Sequence, residues 1–157
     1  MLQMKRQASD NPYMHKDFHI SMDIGLSYIG EHYGARGVTE YLTTLAENYY
    51  APLSAGIKVH GLSEMEAYLK QIYAAENAND AISITCSDDV LHATITYCPA
   101  ILHMNQSGHT PSVWYIETTK TLYSVIAERA GCRFELISYD SKTGATEFYI
   151  KEVKNNG

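Results

Sequence analysis

Two histidines and an aspartate stand close together near the start of the chain, in the stretch His15-Lys-Asp17-Phe-His19. Residues four apart lie on one face of a helix, so His15 and His19 could together bind a divalent metal such as zinc. Asp17 would then project from a different face of the helix. Alternatively, Asp17 and His19 together could act as a base that activates water. The competing interpretation is two solvated histidines at a helix start, where Asp17 favours the positive end of the dipole.

A second group is a cysteine followed by two histidines. Cys98 precedes a proline at the end of a predicted strand, and His103 and His109 follow in a polar segment. A thiol needs a base or a positive field to become a nucleophile, and either histidine could supply it if the segment folds back. The same histidines could serve as acids that protonate a leaving group. The alternative is that Cys98 is an inert core residue, as is expected for Cys86 and Cys132.

A carboxylate next to two aromatic residues begins the last predicted helix. Glu117 follows Trp114 and Tyr115, and an aromatic wall would desolvate its carboxyl and favour a role as general acid or base. First-turn helix stabilisation is the competing role, for which any carboxylate serves. Trp114 and Tyr115 are candidates for substrate binding. Arg36 is a candidate for holding a substrate carboxylate, against the simpler role of a solvated arginine between two helices.

These residues must be positioned by helices in the first half of the chain. Apolar residues at spacings of three and four predict a helix over 15–33 that Gly34 ends. The same pattern predicts a second helix over 38–49, before Pro52 interrupts it. Ser63 and Glu66 form a capping box, which predicts the start of a third helix.

Strict alternation of apolar and polar residues predicts strands in the second half. One hairpin covers 81–98 and a second covers 133–153, with a single helix over 114–130 between them. Strands that come as hairpins form an antiparallel sheet, and helices that are separate from them must cover one of its faces. We therefore expect the α+β class, with N-terminal helices packed on a four-stranded antiparallel sheet in the order ααα-ββ-α-ββ.

Length and composition limit the possible partners. The 157 residues, 45% of them apolar, predict one domain over 13–157 after a loose polar arm over 1–12. A net charge of -6 repels nucleic acid. The first 18 residues contain no apolar stretch and no window is apolar enough to span a membrane, so we expect neither a leader nor a membrane span; three cysteines, an odd number, fit reduced thiols. The expected protein is cytoplasmic, binds a small-molecule substrate or ligand, and works alone or as a homo-oligomer without nucleic acid or membrane.

Several stretches of the sequence resemble one bacterial family, the L-2-amino-thiazoline-4-carboxylic acid hydrolase-like proteins, over about residues 15–152. The matching stretches are His15-Lys-Asp17-Phe-His19, Tyr50-Ala-Pro-Leu53, Cys98-Pro-Ala100, Glu117-Thr-Thr119 and Tyr139-Asp140 with Thr143-Gly144. The resemblance implies a hydrolase that acts on a carbon–nitrogen bond of a small cyclic amidine-like carboxylate through attack of activated water. Glu117, or Asp17 with His19, would then be the base, and His103 or His109 the acid.

The second half is also similar to the 4-vinyl reductase domain, a ligand-binding fold shared with haem-based nitric-oxide sensors and Golgi-trafficking subunits. Those domains often carry cysteines that bind zinc or a cluster. Here only Cys98 could occupy such a place, because Ile116, Thr143 and Thr146 stand where further cysteines would be expected. This similarity implies the fold without the cysteine metal site. It also supports the alternative function, a non-catalytic small-molecule-binding domain with an apolar pocket between helices and sheet.

Overall fold

Helices cover one face of a four-stranded antiparallel sheet in the computed structural model, which describes residues 17–154. The helices are α1 (Asp17–Asn48), α2 (Ala51–His60), α3 (Ser63–Ala75), α4 (Pro99–Gln106) and α5 (Glu117–Arg129). The strands are β1 (Ile82–Cys86), β2 (Val90–Ile95), β3 (Cys132–Tyr139) and β4 (Thr146–Glu152). The α+β class is confirmed. The predicted arm over 1–12 lies outside the described residues.

The first helix, α1, bends sharply at Gly34. The backbone there has φ 67° and ψ -168°, a conformation that glycine adopts without the steric cost a Cβ would impose. The two halves of α1 correspond to the first two predicted helices, joined without a loop. Leu26 before the break and Leu42 after it are fully buried, so both halves face the core. Although α1 has 32 residues, no helix within 17–154 is long and apolar enough to cross a membrane.

Two prolines begin helices that the periodicity did not predict. Pro52 lies in the first turn of α2 and Pro99 in the first turn of α4. The backbone nitrogen of a first-turn residue has no partner within the helix, so a proline costs nothing there and its fixed φ favours the helical start. The polar loop expected after Cys98 therefore contains α4, and two helices separate the hairpins where one was predicted.

The two predicted hairpins pair through their second strands. The strand order is β1-β2-β4-β3, with Leu91 opposite Ile150 and Ala93 opposite Phe148 on the central pair. These four residues are fully buried or nearly so, and the residues that alternate with them are polar and more exposed. The sheet thus has one face for the helices and one for solvent, as is common for antiparallel sheets.

The main core lies between the buried sheet face and the helices. Phe148 packs between the rings of Phe134 and Tyr123, with ring centroids 5.3 and 5.6 Å away. Helix α5 packs on β3, and α1 packs on α5. A buried hydroxyl joins the helices, because Ser54 of α2 donates to the carbonyl oxygen of Ile126 of α5 at 3.1 Å. This arrangement leaves the N-terminal half of α1 free to meet α4 and the segment that follows it.

Candidate functional site

Three histidine–carboxylate pairs lie along the N-terminal half of α1. Each joins α1 to a different part of the chain: the end of α3, helix α4, and the segment after α4. The pairs are His19 Nε2 with Glu76 Oε1 at 3.1 Å, His103 Nε2 with Asp17 Oδ1 at 3.2 Å, and His109 Nε2 with Asp23 Oδ2 at 2.8 Å. Tertiary folding thus brings His19, Asp17, His103 and His109 of the predicted site to one helix.

The pair formed by His109 and Asp23 is the most enclosed. Asp23 is only 1% exposed, whereas the His109 side chain is 25% exposed. Ser112 supplies further donors: its backbone N–H lies 2.9 Å from Oδ2 of Asp23, and its hydroxyl donates to Oδ1 at 2.7 Å. A buried carboxylate requires such donors, because an unpaired charge in the interior is costly. Asp23 therefore has the geometry of an acceptor that orients the imidazole of His109.

The segment over 107–116, which we call the strap, carries His109 and Ser112 along α1. Its Trp114 ring lies directly on Gly30, where a Cβ would come within 2.1 Å of the indole Nε1. The absence of a side chain at Gly30 thus provides the seat for Trp114. Trp114 thus fastens the strap to α1.

A second, smaller core lies beneath the strap and α4. We call it the satellite core; it contains Ala100, Ile101, Met104 and Tyr115, bordered by Ile20, Cys98 and Tyr139. Burial raises the pKa of Tyr115 well above its ordinary value, with Cys98 and Tyr139 adding to the rise. Burial likewise raises the pKa of Tyr139 to about 12. Both phenols are therefore neutral at physiological pH.

Cys98 is half-buried, and its side chain borders this satellite core. Burial raises its pKa, against the opposing effect of the backbone N–H groups of Ile101 and Ala100 at the start of α4. A thiol is nucleophilic only as the thiolate, so this environment disfavours Cys98 as a nucleophile. Cys132 is buried and Cys86 is half-buried, and burial also raises the pKa of each of these thiols.

Two predicted site residues pair with side chains other than these histidines. Glu117 begins α5, where its carboxylate accepts a hydrogen bond from Thr121 at 2.5 Å. Arg36 lies beyond the break in α1; its side chain is 88% exposed and pairs with Glu40 at 2.8 Å. That pairing, first through the hydrogen bond and then through charge, raises the pKa of Arg36.

The predicted metal pair is only half described, because His15 lies outside residues 17–154. His19 is held by Glu76, as given above. Within the described part of the chain, no group of three or more histidine, cysteine, aspartate or glutamate side chains is placed to hold a metal ion.

Two open grooves mark the outer surface of α1. One, of about 570 Å³, lies between α1 and α5 and includes Thr121, the partner of Glu117. The other, of about 530 Å³, runs along α1 past Tyr33, Arg36 and Tyr41. Neither groove includes His109 or Asp23.

Sequence reasoning missed Asp23, Glu76 and Ser112, the acceptors and donor that complete these pairs. One signal was available for Asp23: it stands three residues before Leu26 and seven before Gly30, a spacing that places a carboxylate on the buried helix face. No comparable signal marked Glu76 or Ser112, because their partners are more than 50 residues away. Neither the known protein-family models nor the curated proteins include a match to this chain.

Proposed function

We propose that this chain is a hydrolase of small cyclic amidine-like carboxylates of the amino-thiazoline type, in which His109 activates the attacking water. The observation that carries the proposal is the 2.8 Å hydrogen bond between His109 and the buried Asp23. The family resemblance of the sequence supplies the substrate class. Asp23 would act as a positioning residue, through His109 rather than on the substrate.

The hydrogen-bond pattern determines which nitrogen of His109 is available. Asp23 accepts hydrogen bonds from both the backbone N–H and the hydroxyl of Ser112, so it is the acceptor toward His109 as well. The neutral ring then carries its proton on Nε2, and the lone pair is on Nδ1. This is the arrangement in which a carboxylate holds the ring in one tautomer for general-base catalysis.

The proposed reaction balances without a metal or covalent intermediate. Water adds to the amidine carbon of the ring C=N bond, and His109 Nδ1 takes one water proton and returns it to the ring nitrogen. The tetrahedral carbon then collapses to a carbonyl, and its bond to sulfur breaks. The remaining hydroxyl proton passes to the departing sulfur, so the product is a ring-opened carbamoyl-cysteine and His109 is neutral again.

The raised pKa of the Cys98 thiol supports direct attack by water. Cys98 would have to lose its proton before it could form a covalent intermediate, and its surroundings disfavour the thiolate. Water held by His109 needs no such ionisation. Cys98 therefore belongs to the surroundings of the site in this proposal.

The experiment measures turnover of 2-amino-thiazoline-4-carboxylate by wild type, His109→Gln and Asp23→Asn. We expect each variant to lower kcat by about 10²–10⁴-fold, the usual contribution of a general base. His92→Gln is the matched control, because His92 also pairs with a carboxylate, Glu147, at 2.8 Å but lies on the solvent face of the sheet. It should leave kcat within about twofold of wild type.

A small-molecule-binding domain without catalysis is the second candidate function. The satellite core favours it, because two neutral phenols and a thiol among apolar side chains could hold a ring without any base. Calorimetry separates the candidates: wild-type protein that binds the thiazoline reversibly and never turns it over would replace the hydrolase with the binding domain.

A further inference from the structure

Within the described residues, the hydrogen bonds between the strap and α1 converge on one carboxylate, that of Asp23. Within residues 17–154, each hydrogen bond found between the strap and α1 ends on Asp23: one from His109 and three from Ser112. Another close contact is the Trp114 ring on Gly30, and Trp114 also packs against the main core. His109 and Ser112 share one acceptor, so movement of the strap away from Asp23 would break these four hydrogen bonds together.

Tyr115 is the strap's contribution to the satellite core. It is 7% exposed and packs with three residues of α4, whereas Phe148 and the main core lie elsewhere. Removing one aromatic side chain from so small a cluster would open a space of ring size. That space would be bordered by Ile101, Met104, Cys98 and Tyr139.

We propose that the strap opens from α1, withdraws Tyr115 and exposes a pocket in the satellite core for a small planar ring, with Asp23 as the latch. The class of ring, an amino-thiazoline carboxylate, rests on the proposed function, whereas the opening of the strap is argued from its contacts alone. Apolar side chains would flank the ring, and the hydroxyl of Tyr139 would meet its polar edge.

Cys98 provides a direct readout of opening. Cys98 is half-buried and borders the satellite core beside Tyr115, so withdrawal of Tyr115 would expose its thiol further and accelerate its alkylation by iodoacetamide. Cys86 is half-buried at the end of β1 and serves as the reference thiol in the same sample. Mass spectrometry of the peptides gives the alkylation rate of each cysteine separately.

The test variant is Gly30→Ala, which must displace the Trp114 ring because the new Cβ would lie 2.1 Å from it. The matched control is Gly25→Ala on the same helix, where a Cβ meets nothing within 4 Å. We expect Gly30→Ala to accelerate Cys98 alkylation about tenfold relative to Cys86, equivalent to about 1.4 kcal/mol in the opening equilibrium. Gly25→Ala should leave that ratio unchanged.

Hydrogen exchange distinguishes local opening from unfolding. In Gly30→Ala and in Asp23→Asn, amides of 109–116 should exchange faster while those of 146–150 on β4 keep their wild-type protection. If Asp23→Asn does not fold, hydrogen exchange of the Gly30→Ala variant alone tests the proposal. An unchanged Cys98 rate together with unchanged exchange of the strap in Gly30→Ala overturns the proposal.

A ligand experiment on the wild type separates this inference from the proposed hydrolase. Saturating 2-amino-thiazoline-4-carboxylate should slow alkylation of Cys98 and not of Cys86. Protection of Cys98 without turnover supports the pocket while refuting the hydrolase. Turnover without protection of Cys98 refutes the pocket while supporting the hydrolase.

Discussion

The backbone of Gly144 lies against the side chain of Cys98, so closely that a Cβ at position 144 would come within 2.3 Å of the Cys98 Cβ. The backbone N–H of Cys98 also donates to the carbonyl oxygen of Thr143 at 2.8 Å. The turn between β3 and β4 is thereby docked on the start of α4. The contribution of this contact to stability can be measured.

Gly144→Ala should destabilise the protein by about 2–4 kcal/mol, because it combines a positive φ of 71° with an overpacked contact. Gly61→Ala is the control: Gly61 has φ 88°, but a Cβ there meets nothing within 4 Å. It should cost only the conformational part, about 1–2 kcal/mol. Urea unfolding measures both, and equal losses for the two variants would show that the contact with Cys98 contributes nothing.

Cys98→Ser should leave kcat for the thiazoline carboxylate within about threefold of wild type, because water rather than a thiolate attacks in the proposed mechanism. The substitution changes one atom and leaves Pro99 and the start of α4 intact. Steady-state kinetics with a matched Cys86→Ser variant provide the measurement. A loss of several orders of magnitude confined to Cys98→Ser would instead assign a covalent intermediate to this residue.

Glu117→Gln distinguishes the two candidate bases. If His109 is the base, Glu117→Gln should keep kcat near wild type, because the amide oxygen of the new side chain can still accept the hydrogen bond from Thr121. A fall of about 10²–10⁴-fold would assign general-base catalysis to Glu117 and remove it from His109. The thermal midpoint of the variant should change little in either case, so a lower kcat could not be attributed to a loss of stability.

Alkaline pH should unfold the protein through its tyrosines. Among residues 17–154, seven tyrosines have a pKa raised above the ordinary value, with burial the largest cause: Tyr50, Tyr68, Tyr73, Tyr97, Tyr115, Tyr123 and Tyr139. A phenol with a higher pKa in the folded state holds its proton there and releases it on unfolding. Stability is therefore fully present below about pH 10 and decreases as pH rises above it.

Absorbance of tyrosinate gives the measurement for this pH dependence. Buried tyrosines such as Tyr115 and Tyr123 should ionise only as the protein unfolds, together with the loss of its circular dichroism signal. Gradual ionisation of all the tyrosines before any loss of structure would contradict the burial of Tyr115 and Tyr123.

The sequence alone determined the elements whose signals are local. Alternation over 82–86 and 146–152 identified the strands, because one buried face imposes a period of two whatever the partner strand is. Gly34 marked the break in α1 because positive φ has a local steric cause. The apolar pattern did not predict α2 and α4, because with ten and eight residues they are too short to show a clear period. Each also has a proline in its first turn, and proline can either stop a helix or start one, depending on its position.

Only the tertiary structure decided which candidate residues meet. His103, His109 and His19 were all identifiable by type, but their partners Asp17, Asp23 and Glu76 are 57 to 86 residues away along the chain. Which carboxylate faces which imidazole depends on how α4 and the strap cross α1, and that crossing follows from burial of Tyr115 and from the seat that Gly30 offers Trp114. Side-chain type is a local property, whereas pairing depends on the packing of the whole chain, so residue types could be identified from the sequence and the Asp23–His109 pair could not.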